Sequence, residues 1–107
     1  MRDLVKAFKA LSDETRLRIL NILMERECCV CEVMQVLEIS QPRSSRHLSA
    51  LYDAGFLKSR RDGLWMLYSI DREGMDGYLM DLVNAVTGSF ESNKIALSDK
   101  QKLQNTE

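Results

Sequence analysis

The spacing of apolar residues changes character at Gly55, and that change constrains the fold more than any other feature of the chain. Before it, apolar side chains recur at helical intervals; after it, they alternate; beyond Ile70 the helical interval returns. Leu4, Val5, Phe8 and Leu11 mark a first helix. Ser12 reads as the N-cap of a second, with Asp13 and Glu14 favourable in its first turn. Val30, Val33, Met34 and Leu37 follow the i, i+3, i+4, i+7 pattern and predict a third helix over 30–38. Ser40 can cap a fourth helix and Pro42 suits its first turn, with Leu48 and Leu51 facing the core and Gly55 ending it. Phe56 to Arg61 and Leu64 to Ile70 read as two strands joined by a turn at Asp62-Gly63. Met75, Leu79, Leu82, Val83, Val86 and Phe90 define a last helix.

The expected fold is therefore mainly α with a β-hairpin, in the order α-α-α-α-β-β-α. Two helices joined by the short Glu38-Ile39-Ser40 connection and followed by a hairpin make a winged helix-turn-helix. Residues 1–90 make up the DNA-binding and dimerisation domain, and 91–107 a polar C-terminal tail whose end is expected to fray. A chain of 107 residues cannot easily bury the apolar faces of its first and last helices alone. Leu4, Phe8, Leu79, Leu82, Val83 and Val86 are accordingly expected at a homodimer interface, whose two-fold symmetry would match a palindromic operator.

Charge distribution favours the same partner. The net charge is −1, but residues 41–62 carry Arg43, Arg46, Lys58, Arg60 and Arg61 against Asp53 and Asp62, a local +3. Such a segment can neutralise phosphates on an otherwise acidic body. Gln41, Arg43, Ser45, Arg46 and Ser49 form the exposed face of the fourth helix, with Ser40 and His47 beside them, and Arg60 and Arg61 lie near the wing tip. Arg and Gln suit base edges, whereas Ser suits phosphate. Trp65 and Tyr68 are expected to pack the wing against the body.

All three cysteines fall within four residues, Cys28, Cys29 and Cys31, ahead of the third helix. No apolar run approaches the roughly 20 residues of a membrane helix, and the N-terminus lacks a signal-peptide pattern, so a cytoplasmic, non-membrane protein is expected. In a reducing compartment clustered thiols act as ligands or redox groups rather than as a disulfide framework. On a regular helix, residues i and i+2 point about 200° apart. Cys29 and Cys31 can then share one ion only if the start of the helix is unwound.

Four segments carry a resemblance. Leu11-Ser-Asp-Glu-Thr-Arg-Leu-Arg-Ile-Leu20, Cys29-Val-Cys-Glu32, Ser40-Gln-Pro-Arg-Ser-Ser-Arg-His-Leu48 and Ala54-Gly-Phe-Leu57, with Arg60, Arg61, Gly63 and Tyr68, resemble the ArsR/SmtB family of winged-helix repressors. The resemblance implies a homodimer released from double-stranded operator DNA when an inducer ion binds. The Cys-Val-Cys-acidic stretch looks like the inducer site of the arsenite- and antimonite-responsive branch, so As(III) or Sb(III) is the implied ligand, with no organic cofactor. That branch often has a further cysteine where Met34 stands here; Cys28 is the substitute candidate for third ligand. A cadmium- and lead-sensing branch shares the core but adds N-terminal cysteines, and residues 1–27 contain none. The rival readings are a repressor switched by thiol oxidation or persulfide, a Cd/Pb-type sensor, and a winged helix used for protein interaction. No nucleophile, base and orienting group stand together as an enzyme would require.

Overall fold

In a computed structural model that describes residues 1–106, the chain folds as α1 (Arg2–Leu11), α2 (Glu14–Leu23), β1 (Cys28–Cys29), α3 (Val30–Leu37), α4 (Gln41–Asp53), β2 (Leu57–Asp62), β3 (Trp65–Ile70), α5 (Gly77–Gly88) and α6 (Lys94–Gln104). This is a winged helix-turn-helix, with two elements added to the expected order: the short strand β1 and the helix α6. The strands form one antiparallel sheet in the order β1-β3-β2.

Local chemistry accounts for most boundaries. The Asp13 side chain accepts from the backbone N–H of Arg16 at 3.1 Å and caps α2, one residue later than the Ser12 cap expected. Ser40 accepts from Arg43 N–H at 3.3 Å and caps α4, where Pro42 sits in the first turn. At the other end of α4, Gly55 adopts φ +94°. Gly55 N–H donates to Tyr52 C=O and Phe56 N–H to Leu51 C=O, the paired bonds of a Schellman cap, and the buried Leu51 and Phe56 supply its apolar contact. Between α3 and α4 the chain turns at Glu38, the one non-glycine residue at positive φ (+56°) among those described.

The hairpin turn falls one residue later than its sequence suggested. Asp62 pairs with Trp65, leaving Gly63 and Leu64 as the loop, and only Gly63 has positive φ (+62°). An Asp-Gly turn of the type expected needs positive φ at both central residues; a turn with Gly first needs it only there. The shift puts Leu64 at the wing tip, 94% exposed, and leaves Trp65 56% exposed. Trp65 therefore does not pack the wing onto the body. Tyr68 does, half-buried against the core.

The core centres on α2, whose Ile19, Leu20, Ile22 and Leu23 meet Val33, Val36 and Leu37 of α3, Leu48 and Leu51 of α4, and Val83 of α5. Leu79 and Val83, expected at a dimer face, are buried in this core and cannot reach a partner. Their positions on α5 point inward because the helix also closes over Gly55 and Phe56.

Within the segment expected to be a polar tail, Lys94–Gln104 form helix α6. Asn93 caps α6 by accepting from Ala96 N–H at 3.0 Å, and Ala96, Asp99 and Leu103 are buried against α2 and α3. Two polar anchors hold it. Arg18 of α2 forms a two-point ion pair with Asp99, Nε to Oδ2 at 2.8 Å and Nη2 to Oδ1 at 2.9 Å, and the buried Asn21 donates to Ala96 C=O at 3.3 Å. Both anchors are long-range and polar, so they leave no apolar period to read. Glu107 lies outside the described residues.

Candidate thiol site and nucleic-acid interface

Cys28 and Cys29 form β1, where Cys28 pairs with Tyr68 and Cys29 with Leu67 of β3. Successive residues of a strand point to opposite faces. Both cysteines are buried, but only Cys28 joins the hydrophobic core. Cys29 is also the N-cap of α3, with extended backbone (φ −79°, ψ 165°), and its N–H donates to Glu32 Oε1 at 2.9 Å. This is half of a capping box with cysteine in the cap position, a Cys-x-x-Glu spacing legible in the sequence and missed there.

That geometry resolves the spacing problem. Helix α3 begins regularly at Val30, and Cys29 stands before it rather than on it. The 200° rule does not apply, and no unwinding is needed. The Cα atoms of Cys29 and Cys31 lie 5.3 Å apart and the structure joins their sulfurs as a disulfide. Two soft donors thus converge at one point.

Cys28 does not join them. Its thiol is buried beneath the sheet, and burial, reinforced by the Glu32 carboxylate, pushes its pKa up to about 12. A buried thiol so reluctant to ionise behaves as a small apolar side chain. Among the described residues no group of three or more His, Cys, Asp or Glu side chains is arranged to hold a metal ion. What the arrangement offers is a two-thiol site for a thiophilic ligand.

The basic face is largely where the sequence suggested. Gln41, Arg43, Arg46 and Ser49 are exposed on α4 and Ser45 is half-buried, its hydroxyl 2.9 Å from Gln41 Nε2. Ser40 is exposed but engaged as the N-cap. His47 is turned toward α2: Arg16 Nε donates to its Nδ1 at 3.2 Å, and Asp13 lies 3.9 Å away. Desolvation, together with the cations of Arg16, Arg43 and Arg46, lowers its pKa below the usual histidine value, against the opposing pull of Asp13.

On the wing, adjacent arginines part company. Arg60 is held by Glu27 through both its Nε (3.1 Å to Oε2) and its Nη2. Arg61 is exposed, and among the described residues neither it nor Arg43 or Arg46 is in an ion pair. Glu27 precedes Cys28, so Arg60 ties the wing to the cysteine segment, a link the sequence could not reveal.

Phe8 (50% exposed) and Val5 of α1 and Tyr78 of α5 are exposed apolar side chains, and Leu4, Leu82 and Val86 are half-buried. No helix among the described residues is long and apolar enough to cross a membrane.

Comparisons with known proteins agree with this geometry. Residues 13–59 match the family described as bacterial regulatory protein, arsR family. The chain is 46% identical over 82 residues to an arsenic resistance transcriptional regulator of Pseudomonas putida, covering 73% of this chain and 64% of that protein. It thus spans just under two thirds of that relative's length. It is 44% identical over 90 residues to a probable mercury resistance operon repressor of Streptomyces lividans, covering 84% of this chain and 69% of that one. The fold matches a homodimeric winged helix-turn-helix DNA-binding domain of Mycobacterium bovis with a TM-score of 0.72, at 25% identity, over 87% of this chain and 82% of that one. The family match over the helix-turn-helix and the start of the wing, with the relative matched along most of both chains, gives the assignment: the chain belongs to the arsR family of bacterial regulatory proteins.

Proposed function

We propose that the chain is a homodimeric repressor that leaves its operator when Cys29 and Cys31 bind a thiophilic ion, As(III) or Sb(III) foremost. The single observation that carries this reading is the position of the thiol pair. Cys29 belongs at once to the strand paired with β3 of the wing and to the cap of α3, the first helix of the helix-turn-helix. A ligand drawing on its sulfur acts on both DNA-contacting elements through one backbone.

The donor chemistry fits. Sulfur is soft, and soft ions prefer it to carboxylate or imidazole. The pair supplies two of the three sulfurs that trivalent arsenic favours. Relatives linked by name to arsenic and mercury resistance are in keeping with a soft inducer.

The chain's own residues then carry the signal. Movement of Cys29 alters the Cys29–Leu67 pairing and the Cys29 N–H to Glu32 bond. The first displaces the wing, including the neighbouring Arg60–Glu27 link; the second displaces α3 and with it α4. A shift from 1:99 to 99:1 requires a preference of about 5.5 kcal/mol for the released state. Two thiols closing on a soft ion can supply this only if Cys29 and Cys31 meet less favourably in the DNA-bound form.

For DNA, α4 enters the major groove with Gln41, Arg43 and Arg46 toward base edges and Ser40, Ser45 and Ser49 toward phosphate. Arg61 reaches phosphate from the wing. Arg60 is available only when Glu27 lets go. The exposed residues of α1 and α5, Phe8 among them, form the dimer contact with Leu4, Leu82 and Val86.

Operator gel shifts under full reduction test the reading, with arsenite, antimonite, cadmium, mercury and zinc titrated against wild type, Cys28→Ala, Cys29→Ser and Cys31→Ser. Arsenite or antimonite should release the wild type and Cys28→Ala, but neither Cys29→Ser nor Cys31→Ser. Release of either serine variant at wild-type concentrations overturns the assignment. One observation favours a second reading: the disulfide between Cys29 and Cys31 makes them a natural oxidation switch. Release by peroxide without arsenite, reversed by dithiothreitol, would establish that reading instead.

A further inference from the structure

Arg26 sits two residues before the cysteine cluster and reaches α3, the end of α6 and the residue before β1 at once. Its Nη1 forms an ion pair with Glu32 Oε2 at 2.7 Å and donates to Glu27 C=O at 3.1 Å. Its Nη2 donates to Thr106 Oγ1 at 3.0 Å and to Leu103 C=O at 3.4 Å, at the C-terminal end of α6. The other oxygen of Glu32 is the one that accepts from Cys29 N–H. An unbroken chain of polar contacts therefore runs from the end of α6 through Arg26 and Glu32 to the backbone of Cys29.

The same helix grips α3 at its far end, where Lys102 Nζ pairs with Glu38 Oε2 at 3.1 Å. That contact is exposed and contributes little by itself. The Arg26–Glu32 contact differs, because Glu32 is largely shielded and has both oxygens engaged. An ionised carboxylate clamped from both sides holds its orientation, and a held carboxylate fixes the amide it accepts from.

We infer that Arg26 is a positioning residue for the thiol pair, and that α6 is its anchor. By pinning Glu32 it keeps Cys29 in the cap position from which its sulfur meets that of Cys31. Helix α6, docked by the buried Asp99, keeps Arg26 in place. The inference rests on the reading of Cys29 and Cys31 as the inducer pair. It adds that the affinity of that pair is set from the C-terminal helix, through Arg26 and Glu32.

Phenylarsine oxide, which needs only two thiols, is a suitable probe on the reduced full-length chain. Arg26→Ala is expected to weaken its binding about tenfold, the lower end of the loss seen when a residue orienting a ligand is removed. Arg26→Lys, which keeps a charge against Glu32, should recover part of the loss. Asp99→Asn, which loosens α6, should reproduce the Arg26→Ala defect, and the double variant should be no worse than either single one. Operator affinity without inducer should fall by a smaller factor than probe affinity in Arg26→Ala, a split that general loosening of the fold would not give. Wild-type affinity for the probe in Arg26→Ala, or equal loss of probe and operator affinity, overturns the inference. Cys29→Ser and Cys31→Ser keep the two questions apart: if they bind the probe as wild type does, the inducer-pair reading itself fails.

Discussion

At Arg60 and Arg61, two side chains of one type and one sequence neighbourhood have different work. Arg60 is neutralised by Glu27, whereas Arg61 stands free of ion pairs among the described residues. Replacing Arg61 with Ala should weaken operator binding evenly across sequences and reduce the salt slope of log K by about 1. Arg43→Ala should instead cost about 1–3 kcal/mol on the operator and relax sequence preference. Fluorescence anisotropy on operator and scrambled duplexes, at several salt concentrations, separates the two; identical profiles would remove Arg43 from base reading. His47 gives a pH prediction. Its folded pKa lies below 6.5 because of burial first and nearby arginines second. The folded state thus disfavours the proton more than the unfolded chain does. Stability contributed by keeping His47 neutral is complete above pH 6.5 and is lost as pH falls through the lower folded value. Urea midpoints should drop on acidification across that window, and His47→Gln should flatten this part of the drop.

Among the elements, α6 was the least legible in the sequence and is among the most firmly fixed. Its apolar residues Ile95, Ala96, Leu97 and Leu103 make no helical stripe, and Ile95 and Leu97 remain exposed. The stronger of its two polar anchors is Asp99, 1% exposed, against Arg18 on α2. Removing one partner of a buried pair leaves the other uncompensated. Asp99→Ala should therefore cost about 3 kcal/mol, the low end of that range because Arg18 keeps some contact with solvent. Urea denaturation measures it; a change under about 1 kcal/mol would show that the Arg18–Asp99 pair does not hold α6. Strand β1 was hidden for another reason. Two residues carry no alternation to detect, and their strand character comes only from lying beside β3. The hairpin was legible because Gly63 and the alternation around it are local, but its one-residue shift was decided by which residues accept positive φ.

For the whole molecule, the question is which apolar surface remains for a partner. The chain buries Leu79 and Val83 itself and leaves Phe8, Val5 and Tyr78 exposed, with Leu4, Leu82 and Val86 half-covered. Phe8→Asp should therefore shift the protein toward monomer in sedimentation velocity while leaving its helix content unchanged. Operator affinity should fall at least tenfold in parallel, since one half-site contact supplies only about half of the phosphate and base contacts. A dimer of unchanged strength would move the interface elsewhere.

By itself the sequence determined the amphipathic helices, the helix-turn-helix and the wing, together with the exposed basic face of α4, because each is written in local spacing, capping and turn chemistry. It also marked Cys29 and Cys31 as a pair worth explaining. Only the tertiary structure decided that Cys28 lies inside the core, that Arg60 is occupied, and that α6 closes over α2 and α3. Those outcomes depend on partners between 33 and 81 residues away in the chain, such as Arg60 with Glu27 and Arg18 with Asp99. No local pattern encodes which distant charge or strand edge a side chain will meet.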